Sequence, residues 1–195
     1  MGAAIETERN EKAEAIMVAS LRLFAEQGFY GTTVPEIAAA AKVGAGTVYR
    51  YFPSKEALVN AVYQHWKHQL VTALMGQFPF EAPAREQFTH FVSKAIEFAR
   101  KFALEFRFLE MHHHMPYLDH ASKALESLVV GPAQAFFDRH REMNVTRDAP
   151  SGVLGGIVWG AIVGVIRAEQ DGYATITSTS VDQLVDVLWT GLTKQ

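Results

Sequence analysis

Thr33-Val34-Pro35-Glu36-Ile37-Ala38-Ala39-Ala40-Ala41-Lys42-Val43-Gly44-Ala45-Gly46-Thr47-Val48-Tyr49-Arg50-Tyr51-Phe52 carries two helix signals a few residues apart. Thr33 and Glu36 have capping-box spacing, in which hydroxyl and carboxylate each satisfy an orphan backbone N–H. That predicts a short helix through Ile37–Ala41. Lys42-Val43-Gly44 is a brief break, and a third short helix is predicted from Ala45 to Phe52, stopped by Pro53. Upstream, Ala13, Ile16, Met17, Ser20, Leu21 and Phe24 fall on one stripe at i, i+3, i+4 spacing, which predicts an amphipathic helix from Glu11 to Gln27. Gly28 suits its left-handed end, and Phe29-Tyr30-Gly31 makes a tight connection. Three short helices, the second and third joined by a tight turn, form a helix-turn-helix pattern.

Such a unit can enter a major groove because its last helix is short and exposed while the first two brace it. The residue types agree. Ile37, Ala38, Ala41, Val43 and Val48 are small or branched apolar groups that let helices cross closely. Gly44, Ala45, Gly46 and Thr47 are small enough for backbone N–H groups to approach a phosphate. Tyr49, Arg50, Tyr51 and Lys55 add hydroxyl and cationic donors. Within residues 37–55 the only charges are Lys42, Arg50 and Lys55, a local phosphate-seeking surface on a chain of net charge −3.

Thr32-Thr33-Val34-Pro35-Glu36-Ile37-Ala38, then Ala41-Lys42-Val43-Gly44-Ala45-Gly46-Thr47-Val48-Tyr49-Arg50-Tyr51-Phe52-Pro53-Ser54-Lys55-Glu56-Ala57-Leu58, resembles the DNA-binding signature of the TetR family of bacterial transcriptional regulators. The resemblance includes Ala19, Leu23, Phe24 and Gly28-Phe29 and covers about residues 10–60. It implies backbone-phosphate contacts at Thr33, Lys42, Tyr49 and Lys55, with Ala45, Thr47 and Arg50 nearest base edges. Gly44, Gly46 and Tyr51 complete that surface; Tyr51 has packing as its other reading, and Arg50 a phosphate-only contact. Two positions depart from the family pattern. Lys42 stands where a turn Gly is common, and Gly44 where a capping Ser or Thr is common. The missing hydroxyl costs roughly a few tenths of a kcal/mol.

The chain has 195 residues, 49% apolar, with 18 Lys and Arg against 21 Asp and Glu. That composition builds a real core and excludes a disordered or collagen-like chain. With no cysteine, disulfides, thiolate–zinc sites and Cys nucleophiles are excluded. No basic stretch followed by an apolar one opens the sequence, so a cytoplasmic location is expected.

Beyond Pro53, Ser54 is expected to cap a long helix over Lys55–Met75, with Leu58, Val62, Trp66 and Leu70 on its apolar side. Further helices are expected over 84–114, 117–143, 151–170 and 180–193, leaving Tyr173–Thr179 ambiguous. The fold class is therefore all-α: a helix-turn-helix unit over 1–53 and a larger helical part over 54–195. The family resemblance assigns small-molecule binding and dimerisation to the larger part. Eight of the 13 phenylalanines lie between 78 and 108. Phe91, Phe98 and Phe102 share a helical face that either lines an apolar pocket or is simply core. Trp66, Met111, His112, Tyr117 and Trp159 are the other ligand candidates. No cofactor or metal is expected. His112-His113-His114 cannot converge on one ion unless the helix breaks there, and His65 with His68 lacks a carboxylate at the next turn.

The stretch from Gly152 to Ile166 is uncharged, with Gly156, Gly160 and Gly164 every fourth residue. It reads as shorter than the about 20 residues of a membrane span, hence as a helix buried on most sides. Each glycine costs roughly 1 kcal/mol relative to Ala, which close approach of another helix would offset. With Leu184, Leu188 and Trp189 on the last helix, this suggests a homodimer interface, the other reading being an intrachain contact. Three function classes follow. The first is a regulator, expected to repress as a homodimer on a near-palindromic operator until a small apolar or aromatic effector releases it. The second is an aromatic-pocket enzyme, for which no nucleophile elbow, carboxylate pair or phosphate loop is present. The third is a membrane-associated protein built on 152–166.

Overall fold

The computed structural model describes residues 2–194, with side chains from Asn10 onward. The charge and apolar pattern of residues 1–9, used for the leader reading, lies outside the described side chains. Among the described residues ten helices are present and no strand: α1 (Gly2–Gly31), α2 (Val34–Ala40), α3 (Ala45–Tyr51), α4 (Lys55–Met75), α5 (Ala84–Lys101), α6 (Ala103–His112), α7 (His120–Ala124), α8 (Ser127–Glu142), α9 (Ser151–Gln170) and α10 (Ser178–Leu192). Tyr173–Thr179 contains no strand, and only an isolated bridge joins Thr146 to Thr193 among the described residues.

The helix expected over 84–114 is two helices. Phe102 leaves helical backbone (φ −123, ψ 56) where the chain passes from one compact unit to the other. The run over 117–143 also divides, into α7, which starts on its own cap where Asp119 accepts from the Ser122 N–H, and α8.

The first compact unit comprises Met1–His68 with Ala103–Leu125, the second Gln69–Phe102 with Glu126–Gln195. A boundary at residue 53 does not coincide with this division, since α6 packs along α1. In the first unit α1 also packs on α2 and α3. Its core includes Ile16 and Phe24 of α1, Ile37 of α2, Val48 of α3, Leu58 of α4 and Phe108 of α6.

In the second unit α9 packs on α8 and α5, and α10 packs on α5. Leu154, Val158, Ile162 and Ile166 form one buried stripe along α9. The helix is therefore buried on one side rather than on most, and Gly156, Gly160 and Gly164 lie in the open. Its 20 residues, with Arg167 and Glu169 included, reach the length and apolarity of a membrane-crossing helix, although the uncharged stretch within it ends at Ile166. Glu169 anchors the helix end, accepting from the Ile176 N–H at 3.1 Å and pairing with Arg100 at 3.1 Å.

Candidate nucleic-acid interface

The approach to the helix-turn-helix is set by Gly28, whose φ of 72 kinks α1 within its last turn. Thr32, fully buried, donates its hydroxyl to the Gly28 carbonyl at 2.8 Å and closes the turn. The capping box then forms as the spacing predicted. The Thr33 hydroxyl accepts from the Glu36 N–H, and the Thr33 N–H donates to Glu36 Oε2 at 2.8 Å. The same hydroxyl donates to Glu36 Oε2 at 2.7 Å. These Thr33 bonds hold the Glu36 carboxyl below its usual range. The expected phosphate contact at Thr33 would thus meet a hydroxyl and an N–H already engaged.

Lys42 occupies the left-handed region, φ 56, at the turn between α2 and α3. Its N–H donates to the Ala39 carbonyl at 3.1 Å and that of Val43 to the Ala38 carbonyl at 2.9 Å. The backbone adopts the conformation a Gly would favour, and the Lys side chain is exposed. Gly44 is the N-cap of α3 without a side-chain acceptor. Val48 is 1% exposed and is the buried residue of α3. Ala45, Gly46, Tyr49 and Arg50 are open, and Thr47 and Tyr51 are half-buried. The Arg50 guanidinium lies 5.3 Å from the Tyr51 ring centroid.

Lys55 has intrachain partners in addition to its expected role. Its ammonium donates to the carbonyls of Phe29 at 2.8 Å and Thr32 at 2.9 Å, and lies 4.2 Å from the Phe29 ring centroid. Two of its three N–H donors thus tie the first turn of α4 to the connection before α2.

A polar junction in the same unit carried no motif. Asn60, 4% exposed, donates to the carbonyls of Glu56 and Tyr117, both at 2.8 Å. Its Oδ1 accepts from the Asp119 N–H at 2.8 Å and the Ser122 hydroxyl at 2.6 Å. The Tyr117 ring stacks on Phe29 at 4.1 Å, and its hydroxyl shares a 2.5 Å hydrogen bond with His112 Nδ1. The one available signal was a lone Asn beside the apolar residues Leu58, Val59 and Val62.

The ligand candidates divide between the units. Trp66, Met111, His112 and Tyr117 belong to the first; Phe91, Phe98, Phe102 and Trp159 to the second. Met111 is 38% exposed, whereas His112 is closed in among Phe24, Phe108 and Tyr117. Burial pushes the His112 imidazole below its ordinary pKa; the Phe24 carbonyl opposes this, although Nε2 is buried without a hydrogen bond of good geometry. Burial, and secondarily Tyr30, raise the Tyr117 phenol to about 12. In the second unit Phe98 is core, and Phe102 falls outside α5, so the expected three-ring face ends early. Phe91 and Trp159 are half-buried, their ring centroids 6.4 Å apart.

Leu184, Leu188 and Trp189 of the expected dimer surface have partners within their own chain. Leu188 is buried, Leu184 and Trp189 are half-buried, and Trp189 meets Phe88 of α5 at 5.4 Å. Their stripe covers its own chain, leaving Val187 of α10 70% exposed. A Cβ added at Gly156, Gly160 or Gly164 meets nothing within 4 Å, so no intrachain approach accounts for them. At the histidines α6 does end, at His112, and the His113 and His114 rings stand 3.8 Å apart. Among the described residues no three His, Cys, Asp or Glu side chains are grouped to hold a metal.

A family model of bacterial regulatory proteins, tetR family, matches residues 16–62, and one of the tetracyclin repressor-like C-terminal domain matches 56–193. The HTH-type transcriptional repressor Rv3405c of Mycobacterium tuberculosis is 42% identical over 73 residues, 37% of this chain and 39% of its own length. The HTH-type transcriptional regulator HbdR of Aromatoleum is 43% identical over 49 residues, 25% of this chain and 21% of its own length. The chain thus aligns with well under half the length of these curated relatives. A TetR family transcription regulator from Marinobacter aquaeolei superposes with a TM-score of 0.86 at 19% identity, covering 97% of this chain and 100% of that one. AibR, solved with isovaleryl coenzyme A and operator DNA, superposes with a TM-score of 0.74 at 18% identity, covering 93% and 97%. At these identities the likeness is one of fold.

Proposed function

The chain belongs to the TetR family of bacterial transcriptional regulators, and from that premise we propose that it binds a near-palindromic operator as a homodimer and represses until a small molecule releases it. The observation that carries this reading is α3 itself. It is seven residues long and seated by buried Val48, and its opposite side is open for a major groove. Arg50, Tyr49 and Thr47 supply the donors, and Lys42, held in the turn just before the helix, supplies a phosphate contact. Lys55 and Thr33 act behind this surface by fixing the backbone that presents it. Repression is supported by Rv3405c, itself named a repressor.

Two copies would meet through the open glycine side of α9, where Val153 and Ile157 are 54% and 51% exposed. Two-fold pairing sets two recognition helices about 34 Å apart, one turn of the duplex. This surface also accounts for the apolarity of α9 without a membrane. The effector is a small apolar or aromatic molecule in the second unit, with Phe91 and Trp159 as contacts. Release requires that the effector prefer one spacing of the recognition helices over the other, and the coupling is reciprocal. The relatives are regulators and no residue group here specifies a reaction, so no enzymatic activity is assigned; the site of action is the cytoplasm.

The test is fluorescence anisotropy of the full chain with duplexes from its own upstream region. Tight, salt-dependent binding of one duplex over random DNA is expected, reduced by Arg50→Ala and Tyr49→Ala with the fold retained. Equal affinity for all duplexes, or binding indifferent to both substitutions, would overturn the assignment of α3.

A further inference from the structure

Gly46 and Arg50 stand two residues before and after Val48. At about 100° per residue both project within about 20° of directly away from it. Val48 is the side chain that seats α3, at 1% exposure, so these two occupy the outermost line of the helix. Nothing inside the chain asks for glycine at position 46. It lies within the helix, its φ is not positive, and an added Cβ would meet nothing within 4 Å. Glycine is also the less favourable choice in a helix than alanine. The requirement it meets lies outside the chain, in something that approaches the α3 backbone closely.

Arg50 is one turn further on. Its neighbours on α3 offer single hydroxyls (Thr47, Tyr49, Tyr51) or no polar group at all. Arg50 alone carries two parallel donors, the fork that matches guanine O6 and N7 in the major groove. The ring of Tyr51 flanks its guanidinium at 5.3 Å, and no carboxylate among the described residues engages it. We propose that Arg50 reads a guanine in each operator half-site, and that Gly46 is the gap that lets α3 sink far enough for the fork to reach the base edge. The inference rests on the operator-binding reading above and names the base that reading leaves open.

Duplexes selected by the wild-type protein from a randomised pool supply the probe. Each guanine of the selected site is then replaced singly by 7-deazaguanine, which removes N7. One position per half-site is expected to cost the wild type about tenfold in affinity and to cost Arg50→Ala nothing further. Gly46→Ala is expected to keep or raise the melting temperature while weakening binding to the selected duplex about tenfold or more. A uniform loss by Arg50→Ala over every modified duplex would make Arg50 a phosphate contact and overturn the proposal, as would undiminished affinity in Gly46→Ala. If the wild type enriches no duplex, operator binding itself falls, and this inference with it.

Discussion

The Lys55 ammonium donates to the Phe29 carbonyl, 26 residues earlier in the chain, at 2.8 Å, and to that of Thr32 at 2.9 Å. A Lys one turn from the recognition helix would be read as a phosphate contact, but here the cation satisfies two carbonyls of the connection into α2. The two roles differ in their salt dependence. Removing a cation that neutralises a phosphate lowers the slope of log affinity against log salt by about 1. Lys55→Gln is expected to leave that slope unchanged while lowering stability by about 1–3 kcal/mol. Lys42→Gln is expected to lower the slope by about 1 with little effect on stability. Binding titrations over a salt series, beside urea melts, separate the two; a reduced slope in Lys55→Gln would return Lys55 to the phosphate surface.

His112 makes the first unit sensitive to acid. Burial lowers its pKa in the folded state, whereas the unfolded chain has the ordinary value of about 6.5. Below that value the unfolded state binds the proton more readily, so stability is full above about pH 6.5 and falls as pH drops toward the lowered folded pKa. Replacing the imidazole by Phe, which suits neighbours Phe24 and Phe108, is expected to flatten the pH dependence below about 6.5 relative to the wild type. Parallel curves of unfolding midpoint against pH for the two proteins would count against this account.

Asn60 makes four hydrogen bonds from a buried position, two as donor and two as acceptor. Asn60→Ala would strand the Tyr117 carbonyl and the Asp119 N–H, at a cost of about 3 kcal/mol. Asn60→Asp should be worse at neutral pH, because a carboxylate faces two carbonyls it cannot donate to. It should recover partly in acid, where the carboxyl is neutral. Urea unfolding at two pH values reads both effects, and an Asp variant as stable as the wild type at about pH 7 would exclude the network as drawn.

Features governed by neighbours in sequence were legible without coordinates. The Thr33–Glu36 box, the positive φ at Gly28, and the limits of α4 and α9 all formed where local chemistry placed them. What escaped depends on partners far along the chain. Lys55 meets carbonyls 23 and 26 residues away, and Asn60 meets a loop 57–62 residues away. Periodicity marks an apolar stripe but not what covers it. The stripe of Leu184, Leu188 and Trp189 left a second copy and an intrachain contact both open, and α10 packs on α5 with Trp189 against Phe88. The break at Phe102 escaped because nothing local disfavours a helix there.

The glycine side of α9 separates association from folding. Val153, Ile157, Gly160 and Gly164 follow one another at spacings of four, three and four residues, so they share one stripe. A Cβ at Gly160 or Gly164 meets nothing of its own chain within 4 Å. An Arg at position 160 would therefore leave the subunit folded but place a bulky charge in the contact between copies. Gly160→Arg is expected to convert a dimer to a monomer by light scattering, and to weaken operator binding because the second recognition helix is lost. Leu188→Ala, at a residue 8% exposed, is expected to do the reverse: to cost about 2–4 kcal/mol of stability while the dimer persists. A Gly160→Arg protein that remains dimeric would move the interface off this side of α9.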